Sequence, residues 1–228
     1  MSERRRYELL TIDLDGTLVD TATEIAEAAN RSIEEFGLPR LSVAMITRLI
    51  GAGTRELMLK LLNRLAVERG MSLSPADREA VLHRFDVHYE ATAGTACHPY
   101  PHVADALSRL RHAGVRLACV TNKEARYSEL VLAACGLSYA FDLLVGGDTL
   151  AVKKPDARVL GHAIDVLGAT RETTAHVGDS RTDVEAARNA GVVAWVVPYG
   201  YNGGEPVESA GPDLVFADLG EVARHVLD

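Results

Sequence analysis

Hydrophobic and polar positions change their period twice along the chain. Tyr7–Leu14 is a short, mostly apolar run that ends at Asp15-Gly16, as a strand running into a turn does. From Thr21 to about Ala93 the apolar residues recur at helical spacing. Ile25, Ala28, Ala29, Ile33 and Phe36 share one face, and Gly37-Leu38-Pro39 stops that helix. Thr21 followed by Glu24 has the form of a capping box for it. Further helical stretches are predicted near 42–50, 54–69 and 75–92, broken by Gly51-Ala52-Gly53 and Ser74-Pro75. After Pro99-Tyr100-Pro101 short apolar runs at 115–120, 141–145, 174–177, 193–197 and 214–216 alternate with helical stretches at 102–113, 125–134, 156–167, 181–190 and 219–227.

Buried strands that alternate with helices predict an α/β fold, a Rossmann-like parallel sheet covered on both faces. The first strand fits the same sheet. The expected organisation is therefore a core of 1–19 plus 97–228, with an all-helical insertion, 20–96, leaving after the first strand.

Composition narrows the function more than the fold. The chain of 228 residues is 47% hydrophobic with 25% charged residues, which excludes wholesale disorder. With 24 basic against 32 acidic residues, its net charge of -8 argues against a general nucleic-acid binder. It does not argue against a small anionic substrate, which answers to local charge. No apolar stretch approaches the ~20 residues that cross a bilayer. The run Arg4–Arg6 reads as a solvated tail, and the stretch before the first strand lacks the longer uncharged segment of a signal peptide, so secretion is not expected. Cys97, Cys119 and Cys135 are odd in number and lack CxxC spacing, so they are expected as reduced, buried small hydrophobes of a cytoplasmic protein.

Open parallel sheets bind ligands at the carboxyl ends of their strands. The polar residues predicted there are Asp13, Asp15, Gly16 and Thr17 after the first strand and Thr121, Asn122 and Lys123 after the second. Lys153 and Lys154 follow the third, and Gly178, Asp179, Ser180 and Asp183 the fourth. Three of these carboxylates in one place need a counter-charge, which a hard divalent cation such as Mg²⁺ supplies. With a lysine and hydrogen-bond donors beside it, such a site suits a phosphoryl group. One carboxylate can attack as nucleophile, and the second, two residues on, can serve as acid and base. Singly, several of these residues have structural explanations: Asp15-Gly16 as a turn, Ser180 with Asp183 as a helix cap, Lys154-Pro155 as a helix start, Thr121-Asn122 as a cap. Asp13, an acid in an apolar strand, does not.

The segments Asp13-Leu14-Asp15-Gly16-Thr17-Leu18-Val19-Asp20, Thr121-Asn122-Lys123, Lys154-Pro155 and Gly178-Asp179-Ser180-Arg181-Thr182-Asp183 resemble, in order and spacing, the four motifs of the haloacid dehalogenase-like hydrolases. The resemblance spans nearly the whole chain, and the helical insertion looks like that family's cap. It implies that Asp13 is the nucleophile and a Mg²⁺ ligand, and that Asp15 is the general acid/base and lends the metal its backbone carbonyl. It further implies that Thr121 and Asn122, with Gly16 and Thr17, hold phosphate, that Lys154 balances charge, that Asp179 binds Mg²⁺, and that Asp183 stands behind it. Asp15 argues against the dehalogenase branch. Pro99–Val103 and Tyr199–Pro206 look like segments of bacterial phosphoglycolate phosphatases, although His102 stands where glycine is usual and Glu124 where proline often follows the second motif.

The expected activity is a Mg²⁺-dependent phosphomonoesterase, with 2-phosphoglycolate the leading substrate. A phosphomutase or pyrophosphatase on the same fold is the alternative, and a non-catalytic phosphate-binding module is disfavoured by the full set of acids and Lys154. The expected partner is a small phosphorylated metabolite, with neither nucleic acid nor membrane, for a monomer or homodimer. The leaving group must be read by the insertion. There Gly51-Ala52-Gly53-Thr54-Arg55 opens a helix and offers Arg55 as a candidate for an acidic substrate.

Overall fold

The computed structural model describes residues 7–71 and 73–228; the Arg4–Arg6 run lies outside them. The short, mostly apolar runs become the strands of the main sheet. These are β1 (Leu9–Ile12), β4 (Arg116–Val120), β5 (Leu143–Val145), β6 (Thr174–Gly178), β7 (Val193–Val196) and β8 (Leu214–Val215). They form one six-stranded parallel sheet in the order β5-β4-β1-β6-β7-β8. All four β1 residues are fully buried, as a central strand covered on both faces requires. The order reverses at β1, so the loop after β1 opens at the switch point where such sheets take ligands.

Helices cover both faces. One layer packs α5 (Val103–His112), α6 (Ala125–Ala134) and α9 (Leu219–Leu227) over Leu10, Ile12, Leu117 and Trp195. The other packs α7 (Ala157–Leu167) and α8 (Arg181–Ala190) over Leu9, Ala118, Val120 and Val196. The predicted insertion is helical: α1 (Ala22–Glu34), α2 (Val43–Thr47), α3 (Thr54–Arg69) and α4 (Pro75–Thr92). Their apolar faces meet in a cluster of their own, including Ile25, Ile33, Leu57, Leu61, Phe85 and Tyr89. The core helix α6 adds Tyr127 to it, whose ring lies 4.6 Å from that of Tyr89.

Two features depart from the sequence reading. A small antiparallel ladder of β2 (Val19–Asp20) and β3 (His98–Pro99) joins the two connections at the root of the insertion; strands of two residues leave no periodicity to detect. The cysteines are not all buried: Cys119 is, but Cys97 and Cys135 are half-buried and face one another. Among the described residues no helix is long and apolar enough to cross a membrane.

Candidate active site

Asp13 leaves the end of β1 with its backbone N–H on Val177, and its side chain enters the floor of a cleft beneath α1 and α3. The cleft is lined by Asp13, Asp15, Thr121, Asn122 and Lys123 from the core, and by Ile25, Ile50, Gly51, Gly53, Thr54 and Leu57 from the insertion. Thus the loops after β1 and β4 do converge on one place, and the helical insertion roofs it.

Lys154 is the electrostatic centre of the floor. Only 4% exposed, it sets its ammonium 2.9 Å from Asp13 Oδ1, 2.8 Å from Asp183 Oδ1 and 2.8 Å from the Val120 carbonyl oxygen. Burial would strip its proton, yet the two carboxylates hold its pKa above the ordinary lysine value. Burial drives Asp13 upward to about 6, against the pull of Lys154 and with the push of Asp183. Asp13 Oδ1 is buried and makes no aligned hydrogen bond, so it faces Lys154 as a bare charge with acceptor capacity left over.

Asp183 is the opposite case. Its Oδ1 meets Lys154 and His176 Nε2 (3.2 Å), and its Oδ2 accepts from the Ser180 hydroxyl, the Ser180 N–H (3.1 Å) and the Asp179 N–H (3.3 Å). Burial opposes its ionisation, but the Lys154 charge and these donors keep it well below the carboxylate range. Burial lowers the pKa of His176, against the pull of Asp183; Nε2 lies 3.2 Å from Asp183 Oδ1, and Nδ1 lies 2.9 Å from the Thr11 hydroxyl and 3.0 Å from the Thr11 carbonyl oxygen.

Asp179 completes the cluster. It is buried, and its pKa is raised well above the usual range by burial first and then by Asp183 and Asp13. One ligand oxygen each from Asp13, Asp179 and Asp183 lie within 4.8 Å of one another. With five donors on Asp183, Asp13 and Asp179 are the two carboxylates with capacity for a cation. Gly16 keeps φ +86°, and a β-carbon there would come within 2.4 Å of Asp179 Oδ2, so this position admits only glycine.

Several predicted phosphate ligands have other work. The Thr17 hydroxyl donates to Asp179 Oδ1 at 2.9 Å, and the Gly16 N–H goes to the Val19 carbonyl. The Asn122 amide donates to the Gly51 and Lys154 carbonyls (3.0 Å each) and accepts from the Lys154 N–H at 2.8 Å, so it fixes the Lys154 backbone. The Gly16 N–H, the Thr17 hydroxyl and the Asn122 amide therefore all have protein partners. Among the described residues the backbone N–H groups of Leu14, Asp15 and Asn122 find no protein acceptor, and neither does the Thr121 hydroxyl proton. Unpaired donors on residues that line a cleft, as Asp15, Thr121 and Asn122 do, suit an anion.

Asp15 Oδ1 accepts from the Thr21 hydroxyl at 2.6 Å and pairs with the buried Lys123 ammonium at 2.5 Å; Oδ2 has no protein partner among the described residues. The expected Thr21–Glu24 capping box does not form. The Thr21 hydroxyl serves Asp15, and Glu24, 1% exposed, accepts from the Gly94 and Ala96 N–H groups 70 residues away or more. Thr54 lines the cleft, whereas its neighbour Arg55 pairs with Glu79 of α4 at 2.6 Å in an exposed surface contact.

The sequence reading assigned no role to Lys123, His176 or Tyr201. The glycine-rich loop after β7 is built into the site. The Tyr201 N–H donates to Asp179 Oδ2, its phenol donates to Asp20, and that same oxygen accepts from the Thr21 and Ala22 N–H groups. A polar residue within an apolar strand was the available signal for His176, as it was for Asp13.

The family model described as haloacid dehalogenase-like hydrolase matches residues 11–197. The chain belongs to that family. It is 37% identical over 223 residues to the phosphoglycolate phosphatase of Vibrio cholerae, covering 98% of both chains. It is 39% identical to a plasmid-borne phosphoglycolate phosphatase of Cupriavidus necator, covering 91% of this chain and 88% of that one. Among solved structures, a predicted phosphoglycolate phosphatase from Haemophilus somnus superposes with TM-score 0.92 at 28% identity, covering 96% of this hydrolase and 97% of that chain.

Proposed function

We propose that this hydrolase is a Mg²⁺-dependent phosphomonoesterase that converts 2-phosphoglycolate to glycolate and phosphate through an aspartyl-phosphate on Asp13. The observation that carries the reading is the Asp13 carboxylate, buried beside Lys154 with an oxygen free of aligned hydrogen bonds, at the foot of a cleft ringed by unpaired donors. The names of the relatives supply the choice of substrate.

The N–H groups of Leu14, Asp15 and Asn122 and the Thr121 hydroxyl receive the phosphoryl oxygens, with Lys154 balancing their charge. Asp13 attacks phosphorus in line while Asp15 gives its proton to the departing alkoxide. Asp15 then takes a proton from water as that water attacks the aspartyl-phosphate, releasing phosphate and restoring Asp13. Lys123 and Thr21 hold Asp15 in position for both transfers.

The chemistry of the donor set fits Mg²⁺: Asp13, Asp179 and the Asp15 backbone carbonyl would hold it, with Thr17 and Tyr201 orienting Asp179 and Asp183 standing behind. When bound, it supplies positive charge to the nucleophile and the phosphoryl oxygens. The helical segment 20–96 acts as the cap on the core, 1–19 and 97–228. It presents Ile25, Ile50, Leu57 and Thr54 to the leaving group, and Lys123 is the cation beside them for a carboxylate. The enzyme acts in the cytoplasm on small phosphorylated metabolites, as a monomer or homodimer.

The test is phosphate release with and without Mg²⁺ across 2-phosphoglycolate, sugar phosphates, nucleotides and pyrophosphate. The expected result is Mg²⁺-dependent release with 2-phosphoglycolate preferred, abolished in Asp13→Asn while the far-UV spectrum is unchanged. Transfer of phosphate between sugar hydroxyls without release, or an active Asp13→Asn, would refute it.

A further inference from the structure

The connection that returns from the cap to the core, residues 93–98, lies against the last turns of α6. A β-carbon on Gly94 would meet Ala134 Cβ at 3.0 Å and the Leu130 carbonyl oxygen at 3.1 Å, so connection and helix touch backbone to backbone. Three residues on, Cys97 Sγ stands 3.5 Å from Sγ of Cys135, the residue that caps the C-terminus of α6. From the other side, Glu24 at the start of α1 grips the same connection through the Gly94 and Ala96 N–H groups, at 2.9 and 3.3 Å. Any swing of the cap must bend this segment against α6.

We propose that Cys97 and Cys135 form a reversible oxidation site, closing to a disulfide that fastens the cap's return connection to α6 and slows turnover. Both thiols are free and half-buried, whereas the third, Cys119, is enclosed in β4. The sulfur separation exceeds a disulfide bond by about 1.5 Å, within reach of side-chain rotation. The two thiols differ in readiness. Burial pushes Cys97 up to about 12 and its contact with Cys135 adds to that, whereas the same contact opposes the rise at Cys135. Cys135 is therefore the first to react.

With hydrogen peroxide as the oxidant, Cys135 sulfur attacks one oxygen. The O–O bond breaks, an S–O bond forms and water leaves, giving a sulfenic acid. Cys97 sulfur then attacks Cys135 sulfur; the S–S bond forms, the S–O bond breaks and a second water leaves. Two thiols are oxidised by one peroxide, which is reduced to two waters. A dithiol reductant reverses the change by exchange. The 38-residue span from Cys97 to Cys135 holds β4, the Thr121–Lys123 segment and the start of α6, where Glu124 accepts from Thr54 of the cap at 2.8 Å. Fastening the hinge at one end and the cap contact at the other to the same helix restrains opening, a motion that sets turnover in many lidded enzymes.

The full-length protein is treated with hydrogen peroxide or with dithiothreitol, then digested without reduction for peptide mass mapping. Its Tm is measured without metal or substrate. The expected result is a Cys97–Cys135 linked peptide pair, free Cys119, a Tm raised by about 5 °C, and turnover lowered at least threefold (about 0.7 kcal/mol) and restored by dithiothreitol. Cys97→Ser and Cys135→Ser should show none of these responses. Absence of the linked pair overturns the proposal, as does a linked pair with unchanged Tm and turnover. Linkage and Tm are read without substrate. A reduced protein that releases no phosphate therefore refutes the phosphatase reading, and those two measurements still decide this one.

Discussion

Replacing Lys154 by Met shortens the side chain by one atom and deletes its charge. Two carboxylates, 2.9 and 2.8 Å away, then lose their counter-ion inside the core. At an effective dielectric constant near 20, each contact represents about 6 kcal/mol of gross attraction. Most of that is offset by the desolvation of all three groups. Removing one partner of such a buried set costs about 3–5 kcal/mol, because the charges left behind are uncompensated. In a chain of this length that corresponds to a Tm lower by about 6–20 °C. Asp13, already pushed to about 6 by burial, rises further without the lysine, so a larger share of the proposed nucleophile is protonated at neutral pH. Turnover should fall by about 10²–10³-fold or more. Thermal unfolding and phosphate release measure the two effects. The decisive control is Lys154→Met combined with Asp183→Asn, which removes one stranded charge and should recover part of the lost Tm. Wild-type stability in Lys154→Met, or no recovery in the double variant, would refute the electrostatic account of the floor.

Other consequences can be tested separately. A carboxyl whose pKa is raised in the folded state favours folding below its unfolded value and loses that contribution as pH rises through the folded one. Asp13, raised from 3.8 to about 6, should therefore destabilise the metal-free protein by up to about 3 kcal/mol between about pH 4 and pH 6. The Tm difference between Asp13→Asn and wild type in EDTA should grow over that interval, and a flat difference would contradict it. Arg55→Ala, which breaks an exposed pair with Glu79, should leave KM within about twofold and stability within about 1 kcal/mol; a large rise in KM would return Arg55 to the substrate. His102 holds φ +67°, in the left-handed region that favours glycine. His102→Gly should relieve αL strain and raise Tm by a few degrees, a net gain of up to about 1 kcal/mol. An unchanged or lower Tm would speak against that strain.

What the sequence disclosed depended on how local each cause was. The strands and helices were legible because burial on both faces of a parallel sheet leaves uninterrupted apolar runs, and helix packing leaves a 3.6-residue period. Asp13 was legible because nothing in an apolar strand excuses a carboxylate. Thr21 and Glu24 misled, since each is a plausible partner for the other within a few residues. In the fold their partners are Asp15 and the distant 94–96 connection, and Thr17 likewise finds a distant partner in Asp179. Lys123 and His176 had legible positions but not legible roles: Lys123 acquires its role from Asp15, and His176 from Asp183 and from Thr11, its register partner across the β1–β6 pair.

One aromatic residue acts as a ruler. Tyr201 contacts Asp179 with its backbone and the root of α1 with the far end of its ring, and the ring between them cannot stretch. The spacing between Asp179 and the root of the helical insertion is thereby set by covalent bonds within a single side chain. A shorter or longer residue there, or one residue more or less in the stretch from Val197 to Tyr201, would shift both ends together. The site and the pivot of its roof are constrained to vary as one unit.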